Sequence, residues 1–73
     1  MAKNYQSKSE TLKNAKSDAK TMSTVYPGKE YWIIESVDNA NTKKFFVEEG
    51  SGFTRTWETN HGHYKNGKFI KPE

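Results

Sequence analysis

The sequence predicts an α+β fold in which an N-terminal α-helix is followed by an antiparallel β-meander of four or five strands. Eight of the ten aromatic residues lie in the last 43 positions, in short runs separated by turn residues. Residues 1–29 are instead polar, rich in lysine and nearly free of bulky apolar groups. This contrast divides the chain into a basic helical leader and an aromatic sheet.

The length and composition allow one domain with a thin core. The chain has 73 residues, 32% of them apolar, and a mean hydropathy of -1.09. We expect a flexible terminus over residues 1–6 and a single domain over residues 7–73. Because there is no cysteine, disulfides and thiolate metal sites are excluded, and oligomerisation remains as a means of stabilising so small a scaffold.

The predicted location of the protein is the cytoplasm. No segment reaches the roughly 20 apolar residues that a membrane-spanning helix needs. The N-terminal sequence also lacks the apolar core of a signal peptide.

A helix is predicted over residues 7–23. Ser7 and Glu10 have the spacing of a capping box. The apolar residues that follow are spaced three, four and three positions apart, which makes one narrow stripe along a helix. The stripe consists of Leu12, Ala15, Ala19 and Met22. Two of its members are alanines, so the helix needs tertiary contacts to persist.

The strands are predicted after a turn at Pro27-Gly28. We expect them over residues 30–38, 43–49, 53–59, 63–65 and 68–70, within a sheet over about residues 30–71, with turns at residues 39–41, 50–52 and 60–62. Asn66-Gly67 suits the two positive φ angles of a type I′ hairpin turn. Pro72 ends the last strand because it cannot donate to a ladder.

Bulky side chains are predicted on both faces of this sheet, because successive strand residues point to opposite sides. Trp32 and Ile33 alternate in this way, as do Phe45 and Phe46. One slim helix can cover only one face, so the second face requires a partner, a ligand or strong curvature. We favour a homodimer, and the alternative is a sharply coiled sheet that closes partly into a barrel.

The sequence does not predict an enzyme, a metal site or a cofactor. No cysteine nucleophile exists, and paired carboxylates such as Glu48 and Glu49 are more often a solvated strand edge. His61 and His63 would share one face of a regular strand and could meet a metal ion together with Glu58, but such a tetrahedral site would be incomplete.

The loop Gly50-Ser51-Gly52 is predicted to be a hairpin loop. Phosphate-binding glycine loops precede a helix, whereas this one precedes a predicted strand. The lesser alternative is an anion-binding nest of loop amides near Arg55.

Aromatic and basic residues form the strongest functional pattern. Arg55, the only arginine, lies between Phe53 and Trp57 on one face of a predicted strand, where a guanidinium can stack and pair with phosphate. The predicted ligand-binding residues are Arg55, Trp57, Tyr64, Lys43, Lys44, His61, His63 and Lys65. The ordinary alternative is that the aromatic residues form the core and that Arg55 snorkels over them.

This pattern predicts a small non-enzymatic binding protein that captures a phosphate-bearing ligand. The ligand would be a nucleotide, a cyclic oligonucleotide signal or a nucleic-acid segment. The small size and high polarity are typical of phage and mobile-element accessory proteins, which indicates an anti-defence role. The alternative is an inhibitor or adaptor that docks on a host protein through its sheet face or an edge strand, with the lysine-rich helix toward an acidic surface.

Overall fold

A computed structural model of the chain describes residues 5–37, 43–50, 52 and 54–72, and the side chains of all of these except residues 5–8 and 43. Its elements in chain order are β1 (Tyr5–Ser9), α1 (Leu12–Val25), β2 (Glu30–Val37), β3 (Lys43–Glu49), β4 (Glu58–Lys65) and β5 (Lys68–Ile70). The strands form one antiparallel sheet in the order β1-β3-β2-β4-β5, and α1 packs on one of its faces. The predicted α+β class is confirmed.

The start of the chain differs from the prediction. Residues of β1 pair with β3, so the chain is already part of the sheet at Tyr5, and the capping box of Ser7 and Glu10 is wrong. The N-cap of α1 is Thr11, whose Oγ1 accepts a hydrogen bond from the Asn14 amide at 3.2 Å. The polar sequence of β1 gave no strand signal because this edge strand is held by its pairing with β3.

The helix packs on the sheet through the predicted stripe, which is confirmed. Ala15 and Ala19 are fully buried, and Leu12 and Met22 pack beside them. They lie against the core residues Tyr31, Ile33 and Val47, with Phe45 and Tyr64 at the margin. Because alanine is small, the helix axis comes close to the sheet, and the core is thin as the composition requires.

The turn between β4 and β5 also matches its prediction. Asn66 and Gly67 have φ angles of 54° and 78°, as a type I′ turn requires. The hairpin is tied to the end of α1, since the Gly67 amide donates to Ser23 Oγ at 2.9 Å. Asn66 Oδ1 accepts from the Gly28 amide at 3.0 Å, which joins the two turns.

The strands do not follow one another across the sheet. The central strand β2 is flanked by β3 and β4, so the chain must cross from one side of β2 to the other. β3 ends opposite Tyr31, at the start of β2, whereas β4 begins opposite Ser36, near its end. The connection between β3 and β4, of which residues 50, 52 and 54–57 are described, therefore returns along the length of β2, and we call it the crossing connection.

Two of the predicted segment boundaries are wrong for this reason. The described part of residues 53–57 lies in the crossing connection, and β4 begins only at Glu58. The predicted turn at residues 60–62 lies inside β4. The predicted turn at residues 39–41 lies outside the described residues.

The crossing connection covers part of the sheet face opposite the helix. Gly52 lies so close to Trp32 that a Cβ at this position would overlap the indole ring. Trp32 Nε1 donates to the Gly50 carbonyl at 2.6 Å, and Ile34 on the same face is fully buried. For this part of the face, the chain itself supplies the cover that the sequence analysis assigned to a partner, a ligand or curvature.

The sheet is open, with β1 and β5 at its edges, so the barrel alternative does not hold. The homodimer remains a prediction. Within the described part of the chain, no helix has the length and apolar character needed to cross a bilayer.

Candidate functional site

A β-bulge in β4 places His61 and His63 on opposite faces of the sheet. Trp32 pairs with His63 and Ile34 pairs with Asn60, so two residues of β4 lie opposite Ile33 alone. The expectation that the two imidazoles share a face is therefore wrong. Across the residues that the structure describes, no three His, Cys, Asp or Glu side chains form a metal-binding group.

The bulge depends on a glycine. Gly62 has a φ of 106°, which side-chain-bearing residues rarely adopt. A Cβ at Gly62 would lie 2.7 Å from the Ile70 carbonyl oxygen and 2.9 Å from the Phe69 ring. Asn60 supports the same turn of the chain, since its Oδ1 accepts from the Gly62 amide at 2.7 Å. The orientation of His63 therefore follows from how β4 packs against β5.

His61 lies on the face that carries the helix. Its Nε2 is 2.8 Å from Glu35 Oε1, and its ring centroid is 5.8 Å from that of Phe45. This pairing holds the imidazole against the sheet, away from any open concavity on the opposite face.

The face opposite the helix carries a cleft of about 520 Å³, beside the crossing connection and β5. Its lining residues are Trp32, Asn60, His63, Ile70, Lys71 and Pro72. Trp32 and His63 are stacked with their ring centroids 3.9 Å apart. Because Gly52 also lies against the indole, little of either Trp32 ring face is left for a stacked ligand. A bound molecule would meet ring edges and the apolar side chains of β5.

The most unusual group in this cleft is the His63 imidazole. The residue is only 8% exposed, and its Nε2 lies 3.5 Å from Glu30 Oε1. Its Nδ1 is buried and has no hydrogen-bond partner among the described residues. A buried polar atom without a partner costs about 1–3 kcal/mol, and such atoms are rare in native proteins.

Lysines provide a positive field on the same face. Lys65 and Lys68 lie opposite each other across the β4–β5 hairpin, on the same face as the neighbouring cross-strand pair of His63 and Ile70. Lys71 lines the cleft itself. None of the three forms an ion pair with another described residue. The acidic residues on this face are Glu30, 3.5 Å from His63 Nε2, and the buried Glu48, opposite Trp32 on β3. The end of the cleft at Lys71 is therefore the part suited to an anion.

The structure does not gather the eight predicted ligand-binding residues into one site. His63 lines the cleft, and Lys65 lies on the same face nearby. Tyr64 faces the helix and packs against Phe69, with ring centroids 5.2 Å apart. Lys44 forms an ion pair with Glu10 at 2.9 Å. His61 is on the helix side, and the Lys43 side chain lies outside the described side chains.

Arg55 and Trp57 lie together in the crossing connection, outside any strand. The Arg55 guanidinium carbon is 5.6 Å from the Trp57 ring centroid, and Trp57 is 56% exposed. The Arg55 amide donates to Glu58 Oε1 at 2.7 Å, and the Glu58 amide donates to the Arg55 carbonyl at 3.0 Å. These two bonds make a tight turn that holds Trp57 outward.

The anion-nest alternative loses one of its donors. The Gly50 amide donates to the Glu30 carbonyl at 3.1 Å. It is therefore engaged within the fold and is not directed at an anion.

Most of the cleft was not predicted as a site. Trp32 was expected on the second face but as part of the apolar surface, and Ile70, Lys71 and Pro72 indicated only the end of a strand. Asn60 carried no signal, because its role comes from hydrogen bonds to Gly52 and Gly62, which the bulge and the crossing connection bring to it.

No family model, no curated protein and no solved structure gives a significant match to this chain.

Proposed function

We propose that this chain is a small non-enzymatic binding protein that captures a phosphate-bearing ligand in the cleft lined by Trp32, His63 and the end of β5. The observation that carries the proposal is the lining of the cleft, where the Lys71 cation, the polar side chain of Asn60 and the apolar surface of Ile70 and Pro72 meet in one concavity.

The charge and size of the site support an anionic small molecule. Lys71 is in the wall, and Lys65 and Lys68 are on the same face. Binding clefts for small molecules have volumes of about 300–1,000 Å³, and this one has about 520 Å³. Phosphate is the anion to which clustered lysines commonly bind. Nucleotides and cyclic oligonucleotide signals combine phosphate with a polar ring that fits beside Ile70 and Pro72.

The biological setting that we propose is sequestration of a nucleotide signal by a phage or mobile element. Sequestration needs a saturable site but no catalytic group. The small size and high polarity of the chain support this setting.

The first test is isothermal titration calorimetry at low salt with nucleoside phosphates, cyclic dinucleotides and short oligonucleotides. Lys71→Glu and Lys13→Glu change the net charge by the same amount, but only Lys71 lies in the cleft. A charge-assisted hydrogen bond contributes about 1.5–3 kcal/mol, so we expect Lys71→Glu to weaken binding at least about tenfold. Lys13→Glu should change the affinity by much less.

Two results would overturn the proposal. One is the absence of heat with every ligand class. The other is an equal loss of affinity in the two lysine variants, which would indicate only a general attraction between a basic protein and anions.

A second candidate function is supported by the exposed turn of Arg55 and Trp57. Tryptophan and arginine dominate the binding energy of many protein interfaces, and this turn is held by two hydrogen bonds to Glu58. An inhibitor or adaptor could dock on a host protein through this turn. The β5 edge is less suited to docking, because Lys68, Lys71 and Pro72 are typical of edges protected against strand addition.

The two candidates separate in one experiment. A nuclease-resistant, stoichiometric host protein that is recovered with wild type and with His63→Ala, but not with Trp57→Ala, favours docking. Loss of ligand binding in His63→Ala with no effect of Trp57→Ala favours capture in the cleft.

A further inference from the structure

We infer that a single strand of nucleic acid binds across the β5 edge of the sheet, with its phosphates on lysines from both sides of that edge. These lysines and a neighbouring ring form a surface that we call the β5 edge surface: Lys16 and Lys20 of α1, Lys65 of β4, and Lys68 and Phe69 of β5. The inference goes beyond the proposed function, because half of this surface lies on the helix side of the sheet, across the edge from the cleft.

Two lysines of α1 lie on the side of the helix that is next to the β4–β5 hairpin. Lys16 Nζ is 5.1 Å from the centroid of the Phe69 ring. Lys20 follows one turn later on the same side of the helix. Its position is tied to the hairpin, because Ser23 Oγ donates to the Lys20 carbonyl and accepts from the Gly67 amide, both at 2.9 Å. The helix therefore brings two cations to the β5 edge.

Two further lysines supply positive charge on the opposite face of the same edge. Lys65 and Lys68 lie directly opposite each other in the β4–β5 pairing, and like charges in this position destabilise a hairpin. Glu30 lies opposite Lys65 on β2, but its Oε1 is 3.5 Å from His63 Nε2 and it forms no ion pair with Lys65. A bound polyanion would remove the repulsion between the two lysines.

The acidic residues lie away from the β5 edge itself. Asp18, the acidic residue of α1, is on the side of the helix next to β1, where its Oδ2 accepts from Ser9 Oγ at 3.2 Å. Residues 59–72, which include most of β4 and all of β5, contain no Asp or Glu. Glu10 and Glu49 form ion pairs with other lysines, beside β3. The charge is therefore polarised along the sheet, with a positive field at β5.

This arrangement selects a flexible polyanion. The cations lie on both faces of the sheet, on either side of an edge strand. Double-stranded DNA is stiff over about 50 nm, so a duplex that contacts one face is held away from the other. A single strand can bend over the edge, and lysine binds its phosphates as a point charge. The partly exposed ring of Phe69, between the two sets of lysines, offers apolar surface to a base.

The test is the salt dependence of binding, followed by fluorescence anisotropy of a labelled single-stranded oligothymidylate of twelve nucleotides, at about 50–200 mM salt. Each phosphate contact contributes about -0.7 to the slope of log affinity against log salt for a single strand. Contacts to all four lysines of the surface should give a slope of about -2.8, so binding should weaken about fiftyfold across this range.

Lys20→Gln and Lys68→Gln test the two sides of the edge separately. Each should reduce the magnitude of the slope by about 0.7, and the double variant should reduce it by about 1.4. The matched control is Lys44→Gln, which removes the same charge from β3, where Lys44 pairs with Glu10; it should leave the slope unchanged. Lys20 and Lys68 are exposed, so their replacement spares the fold.

Two kinds of result would overturn the inference. An equal reduction of the slope in Lys44→Gln would show only a general attraction between a basic protein and anions. Equal affinity for polyglutamate of the same charge, or for a duplex of twelve base pairs, would show that the surface does not select a single nucleic-acid strand.

The proposed function has separate outcomes in the same experiments. Lys20→Gln should leave the affinity for nucleoside monophosphates unchanged, because Lys20 lies on the helix side. If mononucleotides bind in the cleft and the single strand binds no more tightly than they do, the inference fails and the proposed function stands. If the strand binds with the expected slope but no mononucleotide binds, capture in the cleft fails and the inference stands.

Discussion

Replacing Gly62 with alanine should destabilise the protein more than the same change at Gly28, another glycine with a positive φ. Two costs add at this position. A side-chain-bearing residue at a φ of 106° is strained by about 1–3 kcal/mol. The new methyl group would also lie 2.7 Å from the Ile70 carbonyl and against the Phe69 ring, and overpacking of this kind costs about 1–3 kcal/mol.

The matched control is Gly28→Ala. Gly28 has a similar φ of 91°, but a Cβ there would meet nothing within 4 Å. Gly28→Ala should lower the free energy of unfolding only by the backbone strain, about 1–3 kcal/mol. Gly62→Ala should lower it by about 2–6 kcal/mol, out of a total of about 4–11 kcal/mol for a chain of this length. The assay is urea unfolding followed by tryptophan fluorescence, with the m-value checked for constancy.

The result that refutes this reasoning is an equal or smaller shift of the urea midpoint in Gly62→Ala than in Gly28→Ala. It would mean that β5 does not pack against the bulge, and that the orientation of His63 has another origin. If Gly62→Ala does not fold while Gly28→Ala does, the order of the two costs is as expected.

Three further predictions concern the core, the ionisation of a buried tyrosine and the helix cap. Ile34→Ala should lower the free energy of unfolding by about 2–5 kcal/mol at any protein concentration, as should Ile33→Ala, because both side chains are fully buried within one chain. A loss under 1 kcal/mol for Ile34→Ala would show that the second face is open in solution. Burial, and secondly the Glu49 carboxylate 3.3 Å from its hydroxyl, raise the pKa of Tyr31 above its ordinary value. The folded state therefore holds the Tyr31 hydroxyl proton more tightly than the unfolded state, so the free energy of unfolding should fall as pH rises above about 10. The fall should be steeper in wild type than in Tyr31→Phe. Parallel pH profiles of the two proteins would contradict this prediction. Thr11→Ala should cost about 1 kcal/mol of stability and Thr11→Ser much less, as measured by urea unfolding, and equal losses would mean that the hydroxyl does not cap α1.

The parts of the fold that follow from local sequence were predictable. Ala15 and Ala19 mark the buried face of α1 by their spacing alone, and Asn66-Gly67 specifies a turn that few other dipeptides can adopt. The central strands β2 and β3 are rich in aromatic and β-branched residues, which need the pleated surface of a sheet. Each of these signals lies within a few neighbouring residues.

The candidate site was not predictable in the same way. His61 and His63 seemed equivalent from their spacing, but one extra residue opposite Ile33 sends their side chains to opposite faces. The cleft lies between the middle of β2 and the C-terminal end of β5, and it forms only because β4 pairs with β2 instead of β3. A sequence pattern that extends over a few residues does not predict which distant strands pair with each other.

The amino-acid sequence is sufficient to specify a basic helix with a narrow apolar stripe and a sheet with large side chains on both faces. It can do so because periodicity and turn chemistry are properties of short segments. Long-range packing was needed to bring Gly52 against Trp32, to turn His63 toward the cleft at the Gly62 bulge, and to leave His63 Nδ1 buried without a hydrogen-bond partner among the described residues. These features depend on which strands lie side by side, and that choice is made by the packing of the whole chain.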